Sequence, residues 1–159
     1  ELIEYLISKE EENPKLEYIL DIYGEGELFS DLKDITKSSK NIFIKGGIPS
    51  NLVSAKLSQY SLNLVLSHTK VAQSPIKLFD AIDVGVPSLY KKTDEINFYV
   101  KKGLKPGLLF ENFKELYQHI ENLHNNRLLI NKIKLNLLST RNKVDFKEFK
   151  AFIEYLIEN

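Results

Sequence analysis

The chain has 159 residues, 43% hydrophobic and 28% charged, with 22 Lys+Arg balanced by 22 Asp+Glu, which fits one globular domain and argues against a general binder of nucleic acid or membrane surfaces. Lacking cysteine, it forms no disulfide, thiol nucleophile or thiolate metal site. No run nears the roughly 18 apolar residues of a membrane span, and the expected location is the cytoplasm.

In chain order, "ELIEYLISKE" predicts a helix to about residue 11 with Leu2, Ile3, Leu6 and Ile7 on one face. "LEYILDIY", residues 16–23, predicts a buried strand broken by Gly24 and Gly26. "ELFSDLKDITK" spaces Leu28, Leu32 and Ile35 as a helix does. "NIFIKGG" reads as a strand ended by two glycines, and "SNLVSAKLSQY" as a helix capped by Ser50. "LNLVLS" is a strand, apolar except at Asn63, and the polar loop "HTKVAQ" follows it. "SPIKLFDAIDVG" predicts a helix, "VPSLY" a strand, "DEINFYVKKG" a helix, "GLLF" a strand and "NFKELYQHIENLHNN" a helix. Two further apolar-periodic segments occupy 127–139 and 146–157, the second with Phe146, Phe149, Phe152, Ile153 and Leu156 on one face.

Strands that alternate with helices and lack polar alternation predict a parallel sheet covered on both faces. Such domains usually open on a strand, whereas this chain opens on a helix. The expectation is therefore a missing strand before Glu1, in a piece of a longer protein. Ligands of these sheets sit at the carboxyl ends of the strands, here the loops at 24–27, 46–50, 67–75 and 91–94.

"YGEGEL" has the two glycines of a phosphate loop but not the third, and Glu25 and Glu27 would repel a phosphate. A tight strand-to-helix turn is the competing reading. In "KGGIPS", Gly46 and Gly47 let backbone approach a ligand, where N–H and C=O groups could read a nucleotide base; a plain loop leading to Ser50 explains the same residues. His68, in "SHTKVAQ", has no carboxylate at a spacing that would support a general base. His119 and His124 are five apart on a helix, a poor metal pair, and are read as solvent-facing.

In "SPIKLFDAIDVG", Ser74 is a natural N-cap and Pro75 suits the first helical position. Leu78, Ala81, Ile82 and Gly85 share the face directed to the sheet. Lys77 and Asp80 share another, near an N-terminus whose free N–H groups and dipole favour an anion. Lys77 would strengthen that anion site, and Asp80 could accept from sugar hydroxyls. An exposed Lys–Asp pair worth a few tenths of a kcal/mol is the alternative.

Over residues 1–125 these segments resemble, in order, the C-terminal donor-binding domain of retaining glycosyltransferases with two Rossmann-like domains, the GT-B type of the glycogen-synthase-like superfamily. "LDIYGEGEL", "IFIKGGIPSNLVSAKLSQYSLNLVLS", "TDEI" and "GLLFENFKELYQHIENL" each match a family segment, and "SPIKLFDAIDVGVPSLY" is the most specific. The resemblance implies a Rossmann-like three-layer α/β fold with a parallel sheet over 1–125, lacking its first strand. Residues 126–159 would be helices packing on it or toward a missing N-terminal domain. It also implies a UDP- or GDP-linked sugar donor held by Gly24, Gly26, Gly46, Gly47, Ile48, Ser67, Ser74, Pro75, Lys77, Leu78 and Asp80, without a metal. Asp80 would hold the ribose hydroxyls, Gly46–Ile48 would lie near the base, and the helix start at 74–78 would face the diphosphate and sugar. The implied partner is the acceptor domain of the same protein, with peripheral contact at the cytoplasmic membrane face through that half.

The chain departs from the family in three ways. Ala72 stands where many relatives carry a sugar-contacting glutamate, and Asp80 replaces the usual glutamate. The family's basic pair belongs to a region outside this sequence. A non-catalytic partner or chaperone subunit of the same fold is therefore the alternative, and no catalytic residue is assigned.

Overall fold

The computed structural model describes residues 1–66 and 76–143, where helices and strands alternate as the apolar pattern predicts. They are α1 (Leu2–Glu12), β1 (Leu20–Tyr23), α2 (Phe29–Ile35), β2 (Ile42–Gly46), α3 (Val53–Leu57), β3 (Asn63–Val65), α4 (Ile76–Asp83), β4 (Ser88–Lys91), α5 (Asp94–Lys101), β5 (Gly107–Phe110), α6 (Phe113–Asn125) and α7 (Arg127–Thr140). The fold is mixed α/β, and among the described residues the strands form two small parallel sheets, β1-β2 and β3-β4-β5. The chain divides into two compact units, Glu1–Val53 with Asn112–Arg127, and Ser54–Glu111 with the described residues from Leu128 onward.

In the first unit, β1 lies beside β2 with Leu20 opposite Ile42, Asp21 opposite Phe43, Ile22 opposite Ile44 and, past a bulge, Tyr23 opposite Gly46. The strand expected from residue 16 begins pairing only at Leu20, whose N–H meets the Asn41 carbonyl at 2.8 Å as the partner strand starts. Leu16 is still buried, in a core with Leu6, Ile42 and Tyr117. Leu2, Ile3 and Ile7 pack against that core, so the apolar face read from the first ten residues is the face α1 buries. Each fully buried leucine contributes about 1.5–3 kcal/mol. On α6, the Asn112 side chain accepts from Glu115 N–H at 3.0 Å and caps the helix. His124 is not simply solvent-facing, since its Nδ1 lies 3.1 Å from the Glu17 carbonyl oxygen.

In the second unit, Asn63, Leu64 and Val65 of β3 face Ser88, Leu89 and Tyr90 of β4, which in turn face Gly107, Leu108 and Leu109 of β5. Leu78, Phe79 and Ile82 from α4 pack with Val65, Tyr90, Ile96, Tyr99, Leu104 and Leu137. The Phe79 and Tyr99 rings meet edge to face, 5.2 Å between centroids. After α4, Gly85 takes a φ of +71°. There Val86 N–H bonds to the Ala81 carbonyl at 2.8 Å and Gly85 N–H to the Ile82 carbonyl at 3.1 Å, closing the helix as a Schellman turn. Thr93 caps α5 by accepting from Ile96 N–H at 3.2 Å. On α7, Leu137 enters the core and Thr140 Oγ1 accepts from Lys105 N–H at 3.0 Å.

Ser50 is not the helix cap the sequence suggested. It opens a single 3₁₀ turn, Ser50–Leu52, with no side-chain cap, and Pro49 precedes it with extended ψ. The chain is already turning at Ser50, so its hydroxyl is not placed over the free amides of α3. The segment 146–157 lies outside the described residues. Among the described residues, no helix is long and apolar enough to cross a membrane.

Candidate functional site

The residues expected to bind a ligand fall in both units. Gly24, Gly26, Gly46, Gly47 and Ile48 belong to the first, and Lys77, Leu78 and Asp80 to the second. Ser67, Ser74 and Pro75, with His68 and Ala72, lie outside the described residues.

The first unit brings its glycine loops together at the carboxyl ends of β1 and β2. Gly24 N–H donates to the Gly46 carbonyl at 2.8 Å, and Glu25 Oε1 accepts from Gly47 N–H at 3.0 Å. Gly46, with a φ of +83°, makes the turn that presents Gly47 to the carboxylate. Gly24 and Gly26 both face open space; Gly24 is held to glycine by its φ of +153°, whereas Gly26 has no positive φ. Lys45, one residue before the loop, is 3.4 Å from Asp21 Oδ1 on the neighbouring strand and lies over the Phe43 ring. With that cation paired, the exposed Glu25 and Glu27 leave the loop surface acidic. This is poor ground for a phosphate and better ground for a neutral or donor-rich group.

The second unit separates the faces of α4 as the spacing predicts. Leu78, Phe79, Ala81 and Ile82 are buried, while Lys77 is exposed and Asp80 half-buried. Desolvation, and then the neighbouring Asp83 charge, push the Asp80 carboxyl above its ordinary value. A carboxylate kept on a helix face against that penalty is a candidate for function rather than packing.

Asn63 is the residue that sequence reasoning flagged without assigning. Its side-chain nitrogen donates to the Lys77 carbonyl at 3.1 Å and to Ser88 Oγ at 3.2 Å, and Ser88 is fully buried. One amide thus ties the first turn of α4 to β3 and β4. The signal was a single polar residue in an otherwise apolar strand. By its position Glu25 suits the helix dipole and opposes a phosphate, but nothing in the sequence signals its bond to Gly47.

A groove of about 470 Å³ in the first unit is lined by Tyr5, Lys9, Glu12 and Asn13 from α1 and its end, and by α6 residues including Tyr117 and Glu121. None of the expected site residues lines it. Its polar groups are largely committed to one another, Lys9 to Glu12 and Asn13 to Glu121. Among the described residues, no three His, Asp or Glu side chains gather as a metal site requires.

No family model matches the chain, and no curated protein matches it.

Proposed function

We propose that residues 1–159 form the nucleotide-sugar-binding part of a retaining, GT-B type glycosyltransferase that transfers a hexose from a UDP- or GDP-linked donor. The observation that carries this reading is the division of α4, which buries Leu78, Phe79, Ala81 and Ile82 and leaves Lys77 exposed and Asp80 half-buried near its N-terminal turn. That turn suits a diphosphate, Lys77 adds a cation, and Asp80 accepts from ribose hydroxyls.

Strand pairing supports the Rossmann-like part of the reading. The doubly wound order 3-2-1-4-5-6 pairs strand 2 with 3, and 4 with 5 with 6. Numbered from 2, β1 to β5 pair in that way, β1 with β2 and β3 with β4 with β5. An acceptor domain would be its partner, in a cytoplasmic enzyme that reaches the membrane face through that other half. Transfer would proceed by departure of the diphosphate, stabilised electrostatically by Lys77 and the free amides of the helix start, without a metal.

Ala72 favours a second reading, a non-catalytic partner subunit that keeps the fold without the sugar-contacting carboxylate. Calorimetric titration of the full-length protein with UDP, GDP and their sugars tests the first. Binding below millimolar ligand, weakened at least about tenfold in Asp80→Ala by loss of bonds to a charged acceptor, is the expected result. No binding at millimolar ligand, or unchanged affinity in Asp80→Ala, overturns it. Binding with no donor hydrolysis or transfer selects the second reading.

A further inference from the structure

Three lysines of the second unit stand where the local field disfavours a cation. Lys77 lies in the first turn of α4. Lys91 and Lys92 immediately precede Thr93, whose Oγ1 accepts from Ile96 N–H at 3.2 Å and caps α5. Helix N-termini carry partial positive charge and prefer acids, which α5 has in Asp94 and Glu95. At the other end of α5, Lys101 and Lys102 suit the dipole. The field that explains those two cations does not explain Lys91 and Lys92.

Strand register sets Lys91 and Lys92 at the edge of the sheet from which β3 leads into α4. β4 is the central strand, with Tyr90 opposite Val65, the last residue of β3, and Lys91 opposite Phe110, the last residue of β5. All three strands are parallel, so both lysines leave the carboxyl end, where sheets of this kind bind ligands. Ser88, Leu89 and Tyr90 are buried, whereas Lys91 is half-buried and Lys92 exposed. None of Lys77, Lys91 and Lys92 has an ion-pair partner among the described residues. A half-buried ammonium gives up part of its hydration, and among those residues no carboxylate compensates Lys91.

We infer that Lys91 and Lys92 bind the diphosphate of the sugar donor, together with Lys77 and the free amides at the start of α4. The inference rests on the nucleotide-sugar-binding reading above and places these phosphate contacts entirely within the second unit.

The test is calorimetric titration of the full-length protein and its Lys91→Met, Lys91→Arg and Lys92→Ala variants with UDP, GDP and inorganic pyrophosphate. Lys91→Met keeps the apolar stem and Lys92 is exposed, so the fold survives both changes. Lys101→Ala, at the far end of α5, controls for the loss of one positive charge. Lys91→Met and Lys92→Ala each weaken binding of the preferred nucleotide about tenfold, the size of one charge-assisted hydrogen bond. Lys91→Arg loses less than Lys91→Met, and Lys101→Ala leaves affinity unchanged. Unchanged affinity in either Lys91→Met or Lys92→Ala overturns the inference, as does an equal loss in Lys101→Ala. Pyrophosphate that binds as tightly as the nucleotides also overturns it, because the lysines would then be a plain anion site. If Asp80→Ala weakens nucleotide binding and the lysine variants do not, the inference falls and the nucleotide-sugar reading stands. If neither nucleotide binds the wild-type protein, both fall.

Discussion

Asn63 and Lys77 are joined by a 3.1 Å hydrogen bond from the Asn63 side-chain amide to the Lys77 carbonyl, and the same nitrogen reaches Ser88 Oγ at 3.2 Å. Both hydrogens of one amide are used, each on a different element. α4 is thereby fixed to its sheet at the end where Lys77 and Asp80 stand.

Asn63→Ala removes both bonds and leaves the fully buried Ser88 hydroxyl without this donor, a loss of about 1–3 kcal/mol. Asn63→Asp destabilises at least as much, because it sets a carboxylate oxygen against the Lys77 carbonyl. Urea unfolding of the two variants measures this. A loss below about 0.5 kcal/mol, the size of an ordinary surface substitution, would show that α4 does not depend on the amide.

Asp80 gives a prediction of the opposite sign. Desolvation and the nearby Asp83 raise its carboxyl in the folded protein, so the native state holds that proton more tightly than the unfolded chain does. The stabilising contribution is complete below the unfolded carboxylate value, about 3.9, and is lost as pH rises through the raised folded value. Asp80→Asn mimics the protonated form. It should match or exceed the wild-type melting temperature near neutral pH, with the difference closing in acid, while nucleotide affinity falls. Gaining stability and losing binding together is the mark of a residue retained for function. A lower melting temperature for Asp80→Asn at neutral pH would make Asp80 a structural residue instead.

The sequence was most readable where the physics is local. The 3.6-residue spacing of Leu78, Ala81 and Ile82 predicted the buried face of α4, and Leu2, Ile3, Leu6 and Ile7 that of α1. Where the answer depended on a partner distant in sequence, it was hidden. Glu25 and Gly47 meet across two loops 22 residues apart, and Asn63 could be seen as odd but not as bonded to Lys77 and Ser88. Pairing of the strands into two sets was equally out of reach, because an apolar run such as "LNLVLS" does not encode its neighbour. Capping failed for a finer reason. Ser50, Thr93 and Asn112 are all residues that cap helices well, but Thr93 and Asn112 have the extended φ and ψ that aim the side chain at the free amides, whereas Ser50 already lies inside a 3₁₀ turn.

Glu10 anchors the first unit in the same way that Asn63 anchors α4, but with a charge. It is 9% exposed, and its carboxylate accepts from Ser39 Oγ at 2.7 Å, Lys40 N–H at 3.2 Å and Tyr18 OH at 3.4 Å, fastening α1 to the segment that enters β2. Glu10→Ala strands three donors, and the short Ser39 bond to a charged acceptor is the largest loss, so the cost is about 2–3 kcal/mol. Glu10→Gln keeps one acceptor oxygen and loses less. Tyr18→Phe removes only the longest of the three bonds and costs less than about 1 kcal/mol. In alkali the order changes. Burial, and then the Glu10 charge, push the Tyr18 hydroxyl above its usual range, so the native state keeps a proton that the unfolded chain releases near pH 10. Stability from this group is complete below that pH and is lost as pH rises further. Tyr18→Phe has no such proton to lose, so its deficit relative to wild type shrinks above about pH 10. Thermal melts of both proteins from neutral to alkaline pH measure the difference, and a deficit that stays constant or widens would show that Tyr18 does not sense the Glu10 charge.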